Sequence, residues 1–576
     1  MNSSSSKPSG SSGPLTRRAF LERATAASAG AVALPLSAGA QGGVANSHRS
    51  SYLEILRTPD RVTAYCGLAD WFSLTRAGER WTGRSVAVTT TPAKDQLAIS
   101  LSAPKDALTH LHLRWSVPVS NSLLCLGDAW ERSYGDLAWR SLVPERPMPW
   151  YFAAWDGETL HGYGVRTGAG ALSFWQLDPE GVSLWLDVSN GGGGVLLGER
   201  TLLAAEVIAR HGQPGETPIE ALRQFCRRMC AKPRPSPGPV YGSNDWYYAY
   251  GNSSQEAILR DADLVASLRP AGGPKPFTVI DEGWANKQKF PDMAKVAAEI
   301  QRRGVRPGIW ERPLRAPEAT DPRLLIPAAR FGEKTGRAAE LAYDPTIPEA
   351  LKLVTDKVRA IRSWGFELLK HDFTTYDLLG QWGFEMGPRP TLPGWSFHDR
   401  TRTNGEIIRG LYQAIRETAG EAMLVLSCNV VGHLGAGIFD IQRTGDDTSG
   451  KIWERTRRMG VNTLAFRLPQ HGAFFTLDAD CVAITQSVPW QLTTQWLDVV
   501  ARSGTALFIS AAAEATADEQ KRAVAAAFAT ATAHETASVP SDWLRNTTPE
   551  VWHDRPGGAE KRYRWCAPDG AYPFSV

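Results

Sequence analysis

The stretch GFELLKHDF, residues 365–373, decides how the chain is read. A run rich in Leu and Phe reads as a strand buried on both faces, and it stops abruptly at Lys370, His371 and Asp372. Charge at the carboxyl end of a buried parallel strand is where barrel enzymes keep their chemistry. A second acidic cluster, FDIQRTGDDTSG at residues 439–450, again follows an apolar strand, two strand–helix units further on. Two such clusters predict a paired-acid site at one barrel mouth.

The same rhythm extends to both sides. Candidate strands end near Trp246, Asp281, Trp310, Asp372, Cys428, Thr444, Leu477 and Ser510, and helical patterns lie between them at residues 254–268, 293–303, 348–364, 403–418 and 518–533. This alternation predicts an α/β fold, a (β/α)8 TIM barrel over residues 239–535. The prolines of AKPRPSPGP, residues 231–239, mark a boundary before it. Residues 44–232 are short β-prone segments broken by Gly, Pro and Asp, with a single helix near 218–229, and predict an antiparallel β-sandwich. Within them LGDAWERSYGDLAWR, residues 126–140, reads as a loop reaching over the next domain. Residues 536–576 are too few for a further domain and predict a short β-rich tail pairing against the barrel.

The first forty residues read as an address. Arg17 and Arg18 precede Phe20 and Leu21, then a short apolar run and Ala38-Gly39-Ala40, the form of a twin-arginine export signal with a small-x-small cleavage site. The expectation is export to the periplasm or beyond, with no membrane association once the signal is removed. The formal charge of +3 is carried by this leader, where Lys7, Arg17, Arg18 and Arg23 face Glu22 alone. The neutral remainder gives no electrostatic case for nucleic acid. Seven cysteines without metal-ligand spacing, and dispersed histidines, predict no metal and no cofactor. Cys226 and Cys230 read as buried thiols. Association into a homo-oligomer is compatible with the sequence.

The strand ends carry Asp245 with Trp246, Asp281 and Glu282 with Trp284, Trp310 with Glu311, Lys370 with Asp372, Cys428 with Asn429, and Arg443 with Asp446 and Asp447. Carboxylates interleaved with aromatics suit a neutral polyhydroxylated ligand, whose hydroxyls need acceptors and whose ring faces need platforms. There is no glycine-rich phosphate loop, and acidic strand ends repel an anion. Glycoside cleavage needs one ionised carboxylate and one protonated acid. Lys370 beside Asp372 would keep that carboxylate ionised, whereas repulsion between Asp446 and Asp447 would raise the proton affinity of one of them. Trp246, Trp284 and Trp310 read equally well as packing residues.

With these residues in place, the run FTVIDEGW, GIWERP, WGFELLKHDF and RTGDDTSG resembles the α-galactosidase (melibiase) superfamily of retaining glycoside hydrolases, families 36 and 27. The resemblance implies that Asp372 is the nucleophile, that Lys370 touches substrate hydroxyls and that Cys428 lies in the pocket. It places the acid/base at GDDTS on Asp446; an Arg four residues before the acid, as Arg443 would be, selects Asp447 instead, and Asp446 is preferred here. Where the family has a pair of Asp reading the sugar's O4 and O6 hydroxyls, this chain has Asp281 and Glu282. The expected function is a retaining, α-galactosidase-like hydrolase acting on an oligosaccharide or other α-glycoside. A transglycosylase of the raffinose-synthase kind, an α-glycosidase for another sugar, and a non-catalytic sugar-binding protein are the alternatives.

Overall fold

Along Gln96–Ala103 every second side chain is buried, the signature of a strand with one face on a core. In the computed structural model, which describes residues 52–333, 340–533, 537–554 and 557–573, this strand lies in an eight-stranded antiparallel sheet packed on a six-stranded one. Leu97, Ile99 and Leu101 meet Leu113, Trp115, Trp175 and Leu184 in the core between them. The eight-stranded sheet is also covered on its outer face. Leu160–Val165 is buried throughout, because helix Pro218–Met229 lies on it. Gly162 makes that approach possible: a Cβ there would stand 2.3 Å from the Phe225 ring. The expected leader lies outside the described residues.

The barrel has eight parallel positions. They are Tyr241–Asn244, Phe277–Ile280, Arg306–Glu311, Leu368–His371, Leu424–Ser427, Ile441–Arg443, then Thr476–Asp478 continued by Val482–Ile484, and Leu507–Ala511. The last pairs with the first, which closes the ring. The seventh position is broken: its first half pairs with the sixth strand and its second half with the eighth. Asp480 stands between the halves in the left-handed region, φ 74°. A non-glycine residue there is uncommon, and Asp480 is held by hydrogen bonds from Thr448 N at 2.7 Å and Thr448 Oγ1 at 2.9 Å.

Helices Gln255–Ser267, Met293–Arg302, Pro348–Ser363, Asn404–Ala419, Trp490–Ser503 and Asp518–Thr532 surround the ring. Their starts are written in the sequence. Ser254 and Asp292 cap the first two through their side chains, and Thr403 with Glu406 forms a reciprocal capping box. After the sixth strand the chain runs through helix Trp453–Thr456 and a π-helical turn, Arg457–Asn462, against which Gly445 lies so closely that a Cβ would stand 2.2 Å from Met459 O. Val539–Pro540, Val551–His553 and Glu560–Arg562 form a small antiparallel sheet. It is tied to the barrel where Trp453 Nε1 donates to Trp565 O at 2.6 Å.

Candidate active site

Period-two geometry sorts the fourth strand. Leu368 points into the barrel with Phe277 and Leu426, whereas Leu369 points outward to the helices. Lys370 and Asp372 therefore follow Leu368 to the mouth, and His371 follows Leu369 outward to pack on Tyr412 and Phe439. Burial holds His371 neutral, its pKa brought down to about 4. It takes no part in the site.

Asp372 is set by its neighbours on the third and fifth strands. Its Oδ1 accepts from Phe373 N at 2.8 Å and Asn429 N at 3.0 Å, and its Oδ2 accepts from Trp310 Nε1 at 3.2 Å. Phe373 has φ 63°, so the chain turns sharply away immediately after the carboxylate. Burial pushes the Asp372 carboxyl up, but Arg132 and Lys370 outweigh it and leave it below the usual carboxylate range. Asp447 opposes them as a like charge. Lys370 Nζ donates to Asp281 Oδ2 at 2.6 Å, and Asn244 Nδ2 donates to the same oxygen at 2.7 Å. Glu282 is 44% exposed, with Arg315 at 3.8 Å.

The two acidic residues after the sixth strand have different surroundings. Asp446 is clamped on both oxygens, with Arg132 Nη2 at 2.8 Å and Arg455 Nη2 at 2.6 Å. Asp447 takes Arg443 Nη2 on Oδ1 at 2.9 Å, with the longer Arg132 contact, 3.7 Å, on the same oxygen, and its side chain is 37% exposed. Burial raises Asp447, but Arg443, Arg132 and Lys370 hold it below the usual range. Arg443 is fully buried and also contacts Asp480 at 2.5 Å and Cys428 Sγ at 3.4 Å.

The loop at residues 126–140 does reach the barrel. Ser133 N donates to Thr444 O at 3.0 Å and Asp446 N donates to Ser133 O at 2.8 Å, so the loop pairs with the acidic turn itself. This places Arg132 among Asp446, Asp447 and Cys428 Sγ, its guanidinium carbon 5.6 Å from the Trp382 ring centroid. Beside it Glu131 accepts from Tyr134 Oη at 2.5 Å and Gly383 N at 3.0 Å, and also holds Asn429 Nδ2. Burial pushes Glu131 up to about 7.

A scan of the sequence against protein-family models finds no match, and a search of curated proteins finds none either. Solved structures do match. An α-galactosidase from Thermus thermophilus, in complex with p-nitrophenyl α-D-galactopyranoside, superposes with a TM-score of 0.57 at 19% identity, over 83% of this chain and 97% of that one. This chain has the fold of the α-galactosidases. The GH36 α-galactosidase AgaA from Geobacillus stearothermophilus gives 0.55 at 13% identity over 81% of this chain and 71% of that one. An α-galactosidase from Lactobacillus brevis gives 0.54 at 14% over 81% and 68%.

On this α-galactosidase fold, Asp281, Trp310, Lys370, Asp372, Cys428, Arg443 and Asp447 gather at one mouth. Asp446 adjoins them with its carboxylate turned into the two-arginine clamp. Trp246 packs with Tyr250 beside the barrel interior, and Trp284 lies edge-on to Trp364 at 5.8 Å. Sequence reasoning missed Arg132, Glu131 and Arg455. The quoted loop already displayed two of them; nothing local showed where they would point. All seven cysteines are free thiols, Cys226 and Cys230 buried among them. Among the described residues no group of three His, Cys, Asp or Glu is placed to hold a metal, and no helix is long and apolar enough to cross a membrane.

Proposed function

We propose that the chain is a retaining α-glycoside hydrolase, α-galactosidase-like, with Asp372 as nucleophile and Asp447 as acid/base. The observation that carries the reading is the pair itself: two carboxylates at one barrel mouth, near enough that the charge of Asp447 raises the titration of Asp372 against the cations around it. Mutual repulsion makes such a pair release its protons in two steps, leaving one anion and one acid between them. Asp372, with two backbone N–H groups, an indole N–H and Lys370 nearby, is the better anion. Asp446 has both oxygens engaged, one by Arg132 and one by Arg455, whereas Asp447 meets Arg443 and Arg132 through Oδ1 and is the more exposed of the two. The Arg443 spacing is therefore the better guide to the acid than the preference for Asp446.

In the first step an Asp372 oxygen bonds to the anomeric carbon as the bond to the leaving oxygen breaks, and Asp447 gives that oxygen its proton. In the second, Asp447 takes a proton from water, the water oxygen bonds to the same carbon, and Asp372 leaves. Two inversions give net retention. A panel of p-nitrophenyl α-glycosides, with the first-formed sugar followed by NMR, tests this. The α anomer is expected first; a β anomer first, or no turnover of any member, overturns it. Repeated with Glu282→Asp, the panel should change the preference between galactoside and glucoside about tenfold, as hydroxyl-reading contacts do.

The charge arrangement also fixes a pH dependence. Activity needs Asp372 ionised and Asp447 protonated, so kcat/KM rises through the first titration and falls through the second. Arg132 lowers both. Replacing it in Arg132→Met should move both limbs of the bell toward higher pH, and a profile that only loses height would show that Arg132 does not set the titrations.

A further inference from the structure

Beside the catalytic mouth lies a cavity of about 700 Å³, lined by Glu282, Trp284, Trp310, Arg315, Lys357 and Trp364 among others. It adjoins the site: Trp310, whose indole donates to Asp372, and Glu282, next in sequence to the mouth residue Asp281, are among its lining residues. Its volume falls within the roughly 300–1,000 Å³ of small-molecule sites, and two half-buried indoles with a carboxylate and a guanidinium are what a sugar ring requires: flat apolar faces and groups that bind hydroxyls.

The ring order says which part of a substrate would enter it. The acid must stand at the leaving oxygen, so the leaving group lies on the side of Asp447, after the sixth strand. Glu282 follows the second strand, four places away in a ring of eight and therefore across the mouth. Whatever fills the cavity is attached to the far end of the sugar that Asp372 attacks, not to the leaving group. We propose that this cavity is a glycone subsite for a second pyranose, and that the enzyme releases a disaccharide unit from its substrate. The inference rests on the hydrolase reading and adds the size of the group transferred.

The experiment compares p-nitrophenyl α-galactoside and α-glucoside with the same compounds carrying a second hexose, α-1,4- or α-1,6-linked to the first. With a working second subsite, at least one extended compound releases p-nitrophenol and an intact disaccharide in one step, with kcat/KM about tenfold or more above its parent. Trp364→Ala should remove that advantage while leaving the parent's rate unchanged. Ala360→Trp, which fills the cavity from the same helix without removing a core side chain, should do the same. Cleavage of the parents with no release from extended compounds, or with free hexose as their first product, overturns the subsite and leaves the hydrolase reading standing. Cleavage of no compound overturns the hydrolase reading, and this inference with it.

Discussion

Asp372→Ala is expected to lose about 10⁴-fold or more of kcat/KM on every α-glycoside, because it removes the carboxylate proposed to form the covalent intermediate. The loss should be partly reversible. With the side chain gone, azide has room to attack the anomeric carbon where Asp372 did, and the product is a β-glycosyl azide. The inverted product distinguishes a lost nucleophile from a collapsed site, since a misfolded variant makes no azide adduct of either configuration. An α-glycosyl azide, or retention of more than about a hundredth of the activity, would remove Asp372 from the role.

Asp447→Ala should behave differently. Loss of a general acid hurts substrates in proportion to their need for a proton, so natural α-glycosides should lose about 10²–10⁴-fold while a glycosyl fluoride or dinitrophenyl glycoside retains its first step. The glycosyl-enzyme should then accumulate, because the same residue serves water as base, and azide should restore turnover, here giving an α-glycosyl azide by way of the intermediate. Asp446→Ala should depress all substrates by similar factors, through loosening of Arg132 and Arg455. If the leaving-group dependence and azide rescue appear in Asp446→Ala instead, the acid lies at 446 and the clamp has been misread.

What the sequence disclosed and what it withheld follow from range. The barrel was legible because strand–helix units carry local signals: apolar runs, several ending in charge, and helices of which three begin at a side-chain cap, Ser254, Asp292 and Thr403. Helix Pro218–Met229 and the starts of Met293–Arg302 and Pro348–Ser363 coincide with the sequence reading. The Lys-x-Asp pair was legible because a strand repeats every two residues. Trp-rich composition was a poorer guide, since Trp115, Trp150, Trp175, Trp496, Trp552 and Trp565 are all fully buried. The broken seventh strand was hidden, because Asp480 adopts its left-handed turn only when Arg443 and Thr448, distant in sequence, hold it. The difference between Asp446 and Asp447 was hidden for the same reason. Adjacent and chemically identical, they are told apart by Arg443, which takes Asp447, by Arg455, presented by the helix that follows and taking Asp446, and by Arg132, which arrives from the loop at residues 126–140 and lies closer to Asp446.

The origin of Arg132 also bears on how the molecule is made. Synthesis delivers the sandwich first, so its guanidinium exists long before either carboxylate it will bias has left the ribosome. During that interval the cation has no counter-charge and stays in water. Only when the acidic turn closes against Ser133 does it become enclosed, and only then do Asp372 and Asp447 acquire the proton affinities that chemistry requires. The charge arrangement of the proposed site thus arrives with that docking, and a chain that has not made it carries the same residues without their mutual bias.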